Sequence, residues 1–182
     1  MHRRNYAASD TLKDGTAVTI RAIRRDDSNG LLEAFKNLDQ ESIYRRFFSS
    51  KKELTETELK QFTDVDFNRV VALVVTTQVD GGEILIGGGR FVSDVPHSIQ
   101  SAELAFLTEA GYRGRGIASL VLKHLVRLAK EVSVSRFEAD VLAENQPMLT
   151  VFRRSGLPMQ QRREGNVVHV TLSLQPELKP RA

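Results

Sequence analysis

The 182-residue chain contains no cysteine. That excludes a disulfide scaffold, a cysteine nucleophile and any thiolate metal site. No apolar run approaches the length needed to span a bilayer, so no membrane association is expected. No apolar segment follows Arg3 and Arg4, so the N-terminus does not read as a secretory signal and the expected location is cytoplasmic. Internal repeats, low-complexity linkers and a second domain boundary are also missing. Nor does one charge dominate any stretch: basic pairs such as Arg24-Arg25, Arg45-Arg46 and Arg153-Arg154 are separated by acidic residues. A nucleic-acid-binding stripe would be denser and interleaved with aromatics, so no nucleic acid is expected as a partner. What remains is a hydrophobic fraction of 41% and a formal net charge of +3, the make-up of one domain with a sizeable core and a mild attraction for polyanions.

Hydrophobic periodicity orders the chain. Residues 1–12 read as a loose leader, 13–175 as the domain and 176–182 as a polar tail. Ala17–Ile23 alternates as an edge strand. Asp26-Asp27-Ser28 supplies cap chemistry for an amphipathic helix through Leu38, and Glu41–Phe48 makes a second, aromatic-rich helix. Thr55 and Glu58 have the spacing of a capping box ahead of Leu59–Phe62. Val70–Thr76 is a β-branched run, hence a buried strand, and Asp80-Gly81-Gly82 turns it back into Ile84–Val92. Within that partner strand, Gly87-Gly88-Gly89 predicts a bulge or a close backbone approach. Ser135–Leu142 is a further strand. Asn145-Gln146-Pro147 opens a helix with Met148, Val151 and Phe152 on one face, ended by Gly156. Met159–Leu174 is a terminal hairpin whose last strand is left exposed, consistent with a monomer or weak dimer. The result is an α/β (α+β) domain, a mixed sheet with helices packed on it.

The densest information lies in Glu109–Lys130. Gly111, Gly114 and Gly116 follow a half-buried strand, Ala102–Leu107. They precede Ile117, Leu120, Val121, Leu125 and Leu128 at helical spacing. A strand, a glycine turn and a helix start in that order leave free N–H groups pointing at an anion, such as a phosphate. The turn lacks the Gly-Lys-Ser/Thr ending of a nucleotide-triphosphate loop and the G-x-G-x-x-G spacing of dinucleotide folds. Its own pattern, R-x-x-G-x-A over Arg113–Ala118, resembles the acyl-CoA pyrophosphate loop of the GNAT superfamily of N-acetyltransferases. An ordinary glycine turn opening an amphipathic helix matches the same six residues as well.

Longer stretches narrow the resemblance. AELAFLTEAGYRGRGIAS (Ala102–Ser119) and ADVLAENQPMLTVFRRSGL (Ala139–Leu157) are similar to the acetyltransferase domain of Pat-type bacterial protein lysine acetyltransferases. LKDGTAVTIRAIRRDD and ESIYRRFF look like the same group. The resemblance covers about Lys13 to Leu174 and implies a single GNAT-like domain with a central, mostly antiparallel sheet flanked by helices. In that group the domain is often fused to another module, for which this chain has no room. The resemblance further implies acetyl-CoA as co-substrate, with no metal. The backbone of Phe106 and Thr108 would bond the pantetheine arm. The loop Arg113, Gly114, Arg115, Gly116, Ile117 and Ala118 would cradle the pyrophosphate, with Ser119 adding a hydroxyl. Asn145 would face the pantetheine or the thioester, or simply cap its helix.

Within the A-E-[LI]-A-F run of that group the glutamate is the general base, which here is Glu103. A carboxylate in a partly apolar strand suits the task, because desolvation raises its pKa towards neutrality. The bland alternative is a solvent-facing strand residue. Glu109, Asp140 and His97 are weaker candidates, and His124, beside the helix's apolar face, is expected to be structural. Tyr44, Phe47 and Phe48 are expected in the core, or as walls of an acceptor groove. Where many superfamily members carry a tyrosine to protonate the leaving thiolate, this chain has Phe152. The implied reaction is acetyl transfer to an amine, foremost a protein lysine such as one on an acyl-CoA synthetase. A small-molecule amine acetyltransferase and a non-catalytic acyl-CoA-binding module remain open beside it.

Overall fold

β1 (Ala7–Thr11) pairs antiparallel with β2 (Ala17–Ala22), and β2 with β3 (Val70–Val79). β4 (Gly82–Ser93) and β5 (Ser101–Thr108) continue the antiparallel run, β6 (Arg136–Leu142) lies parallel to β5, and the hairpin of β7 (Met159–Glu164) and β8 (Val167–Ser173) closes the order β1-β2-β3-β4-β5-β6-β8-β7. Five helices flank this sheet: α1 (Ser28–Lys36), α2 (Gln40–Phe47), α3 (Glu56–Thr63), α4 (Ile117–Glu131) and α5 (Gln146–Arg153). This computed structural model describes residues 3–38, 40–47, 51–93 and 101–175, without the side chains of residues 42 and 45–47.

The strongest sequence patterns become the core. β3 is buried along seven consecutive residues, as its unbroken apolar run requires. α4 turns Ile117, Val121, Leu125 and Leu128 inward as expected, together with Leu122 and Ala129. α3 carries the expected capping box, Thr55 Oγ1 accepting from the Glu58 N–H at 3.2 Å and Glu58 returning to the Thr55 N–H at 2.9 Å.

The glycine run in β4 answers both readings made of it. The register skips Ile86 between Val75↔Gly87 and Thr76↔Leu85, which is a bulge. Close approach holds as well: a Cβ on Gly88 would lie 2.4 Å from the Leu73 carbonyl oxygen, and one on Gly89 2.9 Å from the Val121 side chain of α4.

Several expectations need correction. The leader is not loose: β1 sits inside residues 1–12, with Tyr6 and Leu12 buried at its ends. Its sequence, AASDT, has no apolar periodicity because the strand is held by backbone pairing and these two anchors. β2 is consequently an interior strand. The exposed edge of the terminal hairpin is β7, rich in Gln and Arg, while β8 is covered on both sides. α5 does keep Met148, Val151 and Phe152 on one face, along the cleft, and also buries Leu149. Asp27 makes no side-chain cap bond to α1. Instead it accepts from the buried Arg21 guanidinium at 2.7 Å and 2.8 Å, and Arg21 also reaches Glu83, tying β2, the start of α1 and β4 together. His97, Phe48 and the tail from residue 176 lie outside the described residues, as does the side chain of Phe47.

His124 is structural, as expected. It is buried in α4, its Nδ1 is hydrogen-bonded to the Tyr6 hydroxyl, and its Nε2 has no hydrogen-bond partner. Burial lowers its pKa, with neighbouring Lys123 adding to the effect and Asp10 opposing it. The unfolded chain therefore binds this proton more readily than the native one. Stability is fully present above the unfolded value of about 6.5 and is lost as pH falls through the lower folded value.

Two outcomes follow. Gly88→Ala should destabilise by about 1–3 kcal/mol, because backbone must move. Calorimetry should read this as a drop of roughly 2–12 °C in the thermal midpoint. Acidification from pH 7.5 to pH 5.5 should lower the wild-type midpoint, and His124→Gln should flatten that dependence. An equal pH slope in the variant would assign the effect to other groups.

Candidate active site

β5 and β6 pair over Ser101–Glu103 and Arg136–Glu138 only, then part. The gap opens a cleft of about 1190 Å3, floored by β5 and walled by the loop before α4, by α5 and by β8. The Glu109 N–H bonds the Ile86 carbonyl at 3.0 Å on the β4 side. The two-residue alternation of an antiparallel ladder then directs the backbone groups of Ala105 and Leu107 to β4 and those of Leu104, Phe106 and Thr108 into the gap. That edge offers donors and acceptors to an extended ligand strand-fashion.

At the end of β5 the chain makes a single helical turn over Ala110–Tyr112 and enters α4 through Arg113-Gly114-Arg115-Gly116. Gly114 and Gly116 have φ of +74° and +95°, a conformation open to glycine and strained for a β-branched residue. These glycines and the uncapped first turn of α4 border the cleft, where Ala118 and the exposed Ser119 also lie. Ile117 differs from its loop neighbours: its side chain is buried against the glycines of β4, so only its backbone is left for a ligand.

Arg115 is turned from the cleft centre. Its guanidinium bonds Asp14 at 2.9 Å and the Gly111 carbonyl at 2.8 Å, and stacks on Tyr112 with 4.7 Å to the ring centroid. It braces the loop against the β1–β2 turn. From that same turn comes Lys13, which lines the cleft and passes over Gly116. Asn145 caps α5, its side chain accepting from the Met148 N–H at 3.3 Å, and borders the cleft at the same time. Phe152 is fully buried and meets Phe106 edge-on at 6.1 Å, so the position where a tyrosine would offer a proton holds an inert ring.

Glu103 stands at the closed end of the divergence, paired with Val92 and Glu138. It lines the cleft, but it is exposed, so the chain by itself does not supply the partly apolar surroundings expected for it. Its close electrostatic neighbour is Arg90 on the same sheet face. Burial lowers the Arg90 pKa, with Glu103 opposing, and its guanidinium lies 4.9 Å from the Phe62 ring centroid. Of the weaker candidates, Glu109 turns its carboxylate over Gly111, and Asp140 holds His169 Nδ1 at 2.5 Å. His169 Nε2 in turn lies 3.5 Å from Glu164.

Sequence reasoning missed Lys13, Arg90 and His169. Lys13 falls in a segment read as the domain's start, with no motif of its own. His169 did carry a signal, as a polar ring within the alternating VVHVTLS. Tyr44 is exposed on α2. Among the described residues no group of three or more His, Asp or Glu is arranged to hold a metal ion, and no helix is long and apolar enough to cross a membrane.

A parted parallel pair, a left-handed glycine turn and a helix start define an acyl-CoA-type transferase fold, and the family profile described as "Acetyltransferase (GNAT) domain" matches residues 17–158. The chain belongs to the GNAT acetyltransferase family. It is 32% identical over 145 residues to the acetyltransferase Pat of Mycolicibacterium smegmatis, which is 80% of this chain and 42% of that protein, so it spans less than half of this relative. The crystal structure of the GNAT domain of S. lividans PAT superposes with a TM-score of 0.81 at 30% identity, covering 92% of this chain and 96% of that one. The yncA putative acetyltransferase from Salmonella typhimurium, solved with its cofactor acetyl-CoA, shares the fold at a TM-score of 0.70 and 14% identity, covering 91% and 98%.

Gly116→Val places a β-branched residue at φ +95° and a side chain against Lys13. It should weaken coenzyme A binding by roughly 10-fold or more, given a strain of a few kcal/mol at such positions. Calorimetric titration with coenzyme A on the folded variant checks this, and unchanged affinity would remove the turn from the site.

Proposed function

We propose that this domain transfers an acetyl group from acetyl-CoA to a lysine side chain of a protein, with Glu103 as general base. The observation that carries the reading is the parting of β5 from β6. It leaves a free β5 edge running from the glycine turn to Glu103 in a chain about one-third identical to Pat. Pyrophosphate suits the N–H groups of Gly114, Gly116 and Ala118. The pantetheine arm suits the backbone of Phe106 and Thr108, and that path leads its thioester towards the carboxylate.

A lysine has a pKa near 10.4, so at pH 7 only about one in 2,500 is neutral, a cost of about 4.6 kcal/mol. Glu103 accepts the ammonium proton as the nitrogen attacks. The new C–N bond forms, the nitrogen sheds its second proton to solvent as the C–S bond breaks, and the sulfur leaves as thiolate. Phe152 has no proton to give, so the thiolate takes one from solvent, which a thiol pKa near 8.5 permits. Glu103, Asp140 and Glu164 share the cleft, an acidic setting that favours a cationic acceptor segment. An acyl-CoA synthetase presenting a lysine is the acceptor of choice, by analogy with Pat-type enzymes.

Glu103→Gln keeps the shape of the site and removes its proton affinity. Its turnover should fall by about 10²–10⁴-fold while coenzyme A affinity changes little. The deficit should shrink as pH rises towards the amine's own pKa. Mass spectrometry of acceptor protein incubated with acetyl-CoA provides the assay. Wild-type turnover by the variant at neutral pH would refute the role of Glu103.

A further inference from the structure

We propose that Lys13, in the turn between β1 and β2, is a ligand for the pyrophosphate of coenzyme A, which makes the N-terminal hairpin part of the cofactor site. The inference rests on the acyl-CoA reading of the cleft. The Lys13 N–H donates to the Arg115 carbonyl at 3.1 Å, so the hairpin turn is docked on the glycine turn by main chain. The side chain then runs over Gly116: its Cγ, Cδ and Cε lie 3.3, 3.5 and 3.2 Å from where a Cβ would stand. One bond further, the ammonium is delivered to the first turn of α4.

That placement is electrostatically wrong for the free fold. The N-terminus of a helix repels a cation, and Arg113 and Arg115 stand in the same turn. The nearest acid on the hairpin, Asp14, is committed to Arg115 at 2.9 Å. Its pKa is held down by the Thr16 N–H first and by Arg115 as well. Glu109 is turned over Gly111 at the other end of the loop. Among the described residues Lys13 has no carboxylate at ion-pair distance. An exposed lysine left unpaired at the positive end of a fifteen-residue helix is satisfied by an anion held on the same N–H groups. The arrangement also divides labour between the cations: Arg115 braces the loop, and Lys13 brings a charge to Gly116.

Calorimetric titration of wild type, Lys13→Met and Lys13→Arg with coenzyme A, 3′-dephospho-coenzyme A and pantetheine tests this. Lys13→Met should weaken both phosphorylated ligands by roughly 10-fold, the worth of one charge-assisted contact on an exposed stem. Lys13→Arg should recover most of that loss, and pantetheine should bind all three proteins alike. The ligand-free thermal midpoint of Lys13→Met should be unchanged or higher, since a repelled charge has gone. Unchanged coenzyme A affinity in Lys13→Met would overturn the proposal. So would a loss that spares 3′-dephospho-coenzyme A, which would place the contact on the 3′-phosphate. A lowered midpoint with an equal loss for pantetheine would make Lys13 a brace of the hairpin. If wild type bound no coenzyme A at all, the acyl-CoA reading itself would fall, and this inference with it.

Discussion

Everything functional in this domain depends on two parallel strands that stop pairing. β5 and β6 share three register positions and then separate, leaving every second backbone group of β5 from Leu104 to Thr108 without a strand partner. Unpaired main-chain groups are costly when buried and are useful only where a ligand can reach them. The fold keeps them reachable by walling the gap rather than filling it. α5 lays Phe152 against Phe106 at its base, while β6, β8 and β7 continue as the far wall.

The gap has a defined end because α4 is held tightly against the sheet. Gly87 and Gly89 present no side chain towards it, and Cβ atoms there would crowd Ile117 and Val121 at 2.9 Å. With Ile117 seated in that groove, the first turn of α4 cannot slide. The two left-handed glycines before it are thereby aimed at the cleft. On the opposite face Gly88 lies against the β3 main chain, and the Arg21–Asp27–Glu83 network joins β2, α1 and β4. The glycine triplet of β4 is thus a packing device that sets the position of a left-handed glycine turn formed almost thirty residues later.

Charge is distributed in the same economical way. Cations gather where the helix dipole is already positive, at Lys13, Arg113 and Arg115, and carboxylates gather across the cleft at Glu103, Asp140 and Glu164. The two ends of the cleft therefore differ in charge. Arg90 stands beside Glu103 on a face partly closed by Phe62.

The residue string by itself determined the elements whose cause is local. The β-branched run of β3, the apolar stripe of α4, the Thr55–Glu58 box and the hairpin turn at Asp80-Gly81 all follow from periodicity, capping or turn chemistry within a few residues. The glycine turn between β5 and α4 was legible too, from its spacing. Tertiary structure decided the rest, because the rest depends on partners distant in the chain. AASDT became a strand since β2 had a free edge to offer, and Asp27 left its helix cap for an arginine on β2. Lys13 entered the cleft from a turn that no local pattern marks as a ligand site, one hundred residues from the turn it touches. Local pattern specifies what a segment can form; only the folded sheet specifies which side chains a ligand meets, since that is a property of register and packing between strands.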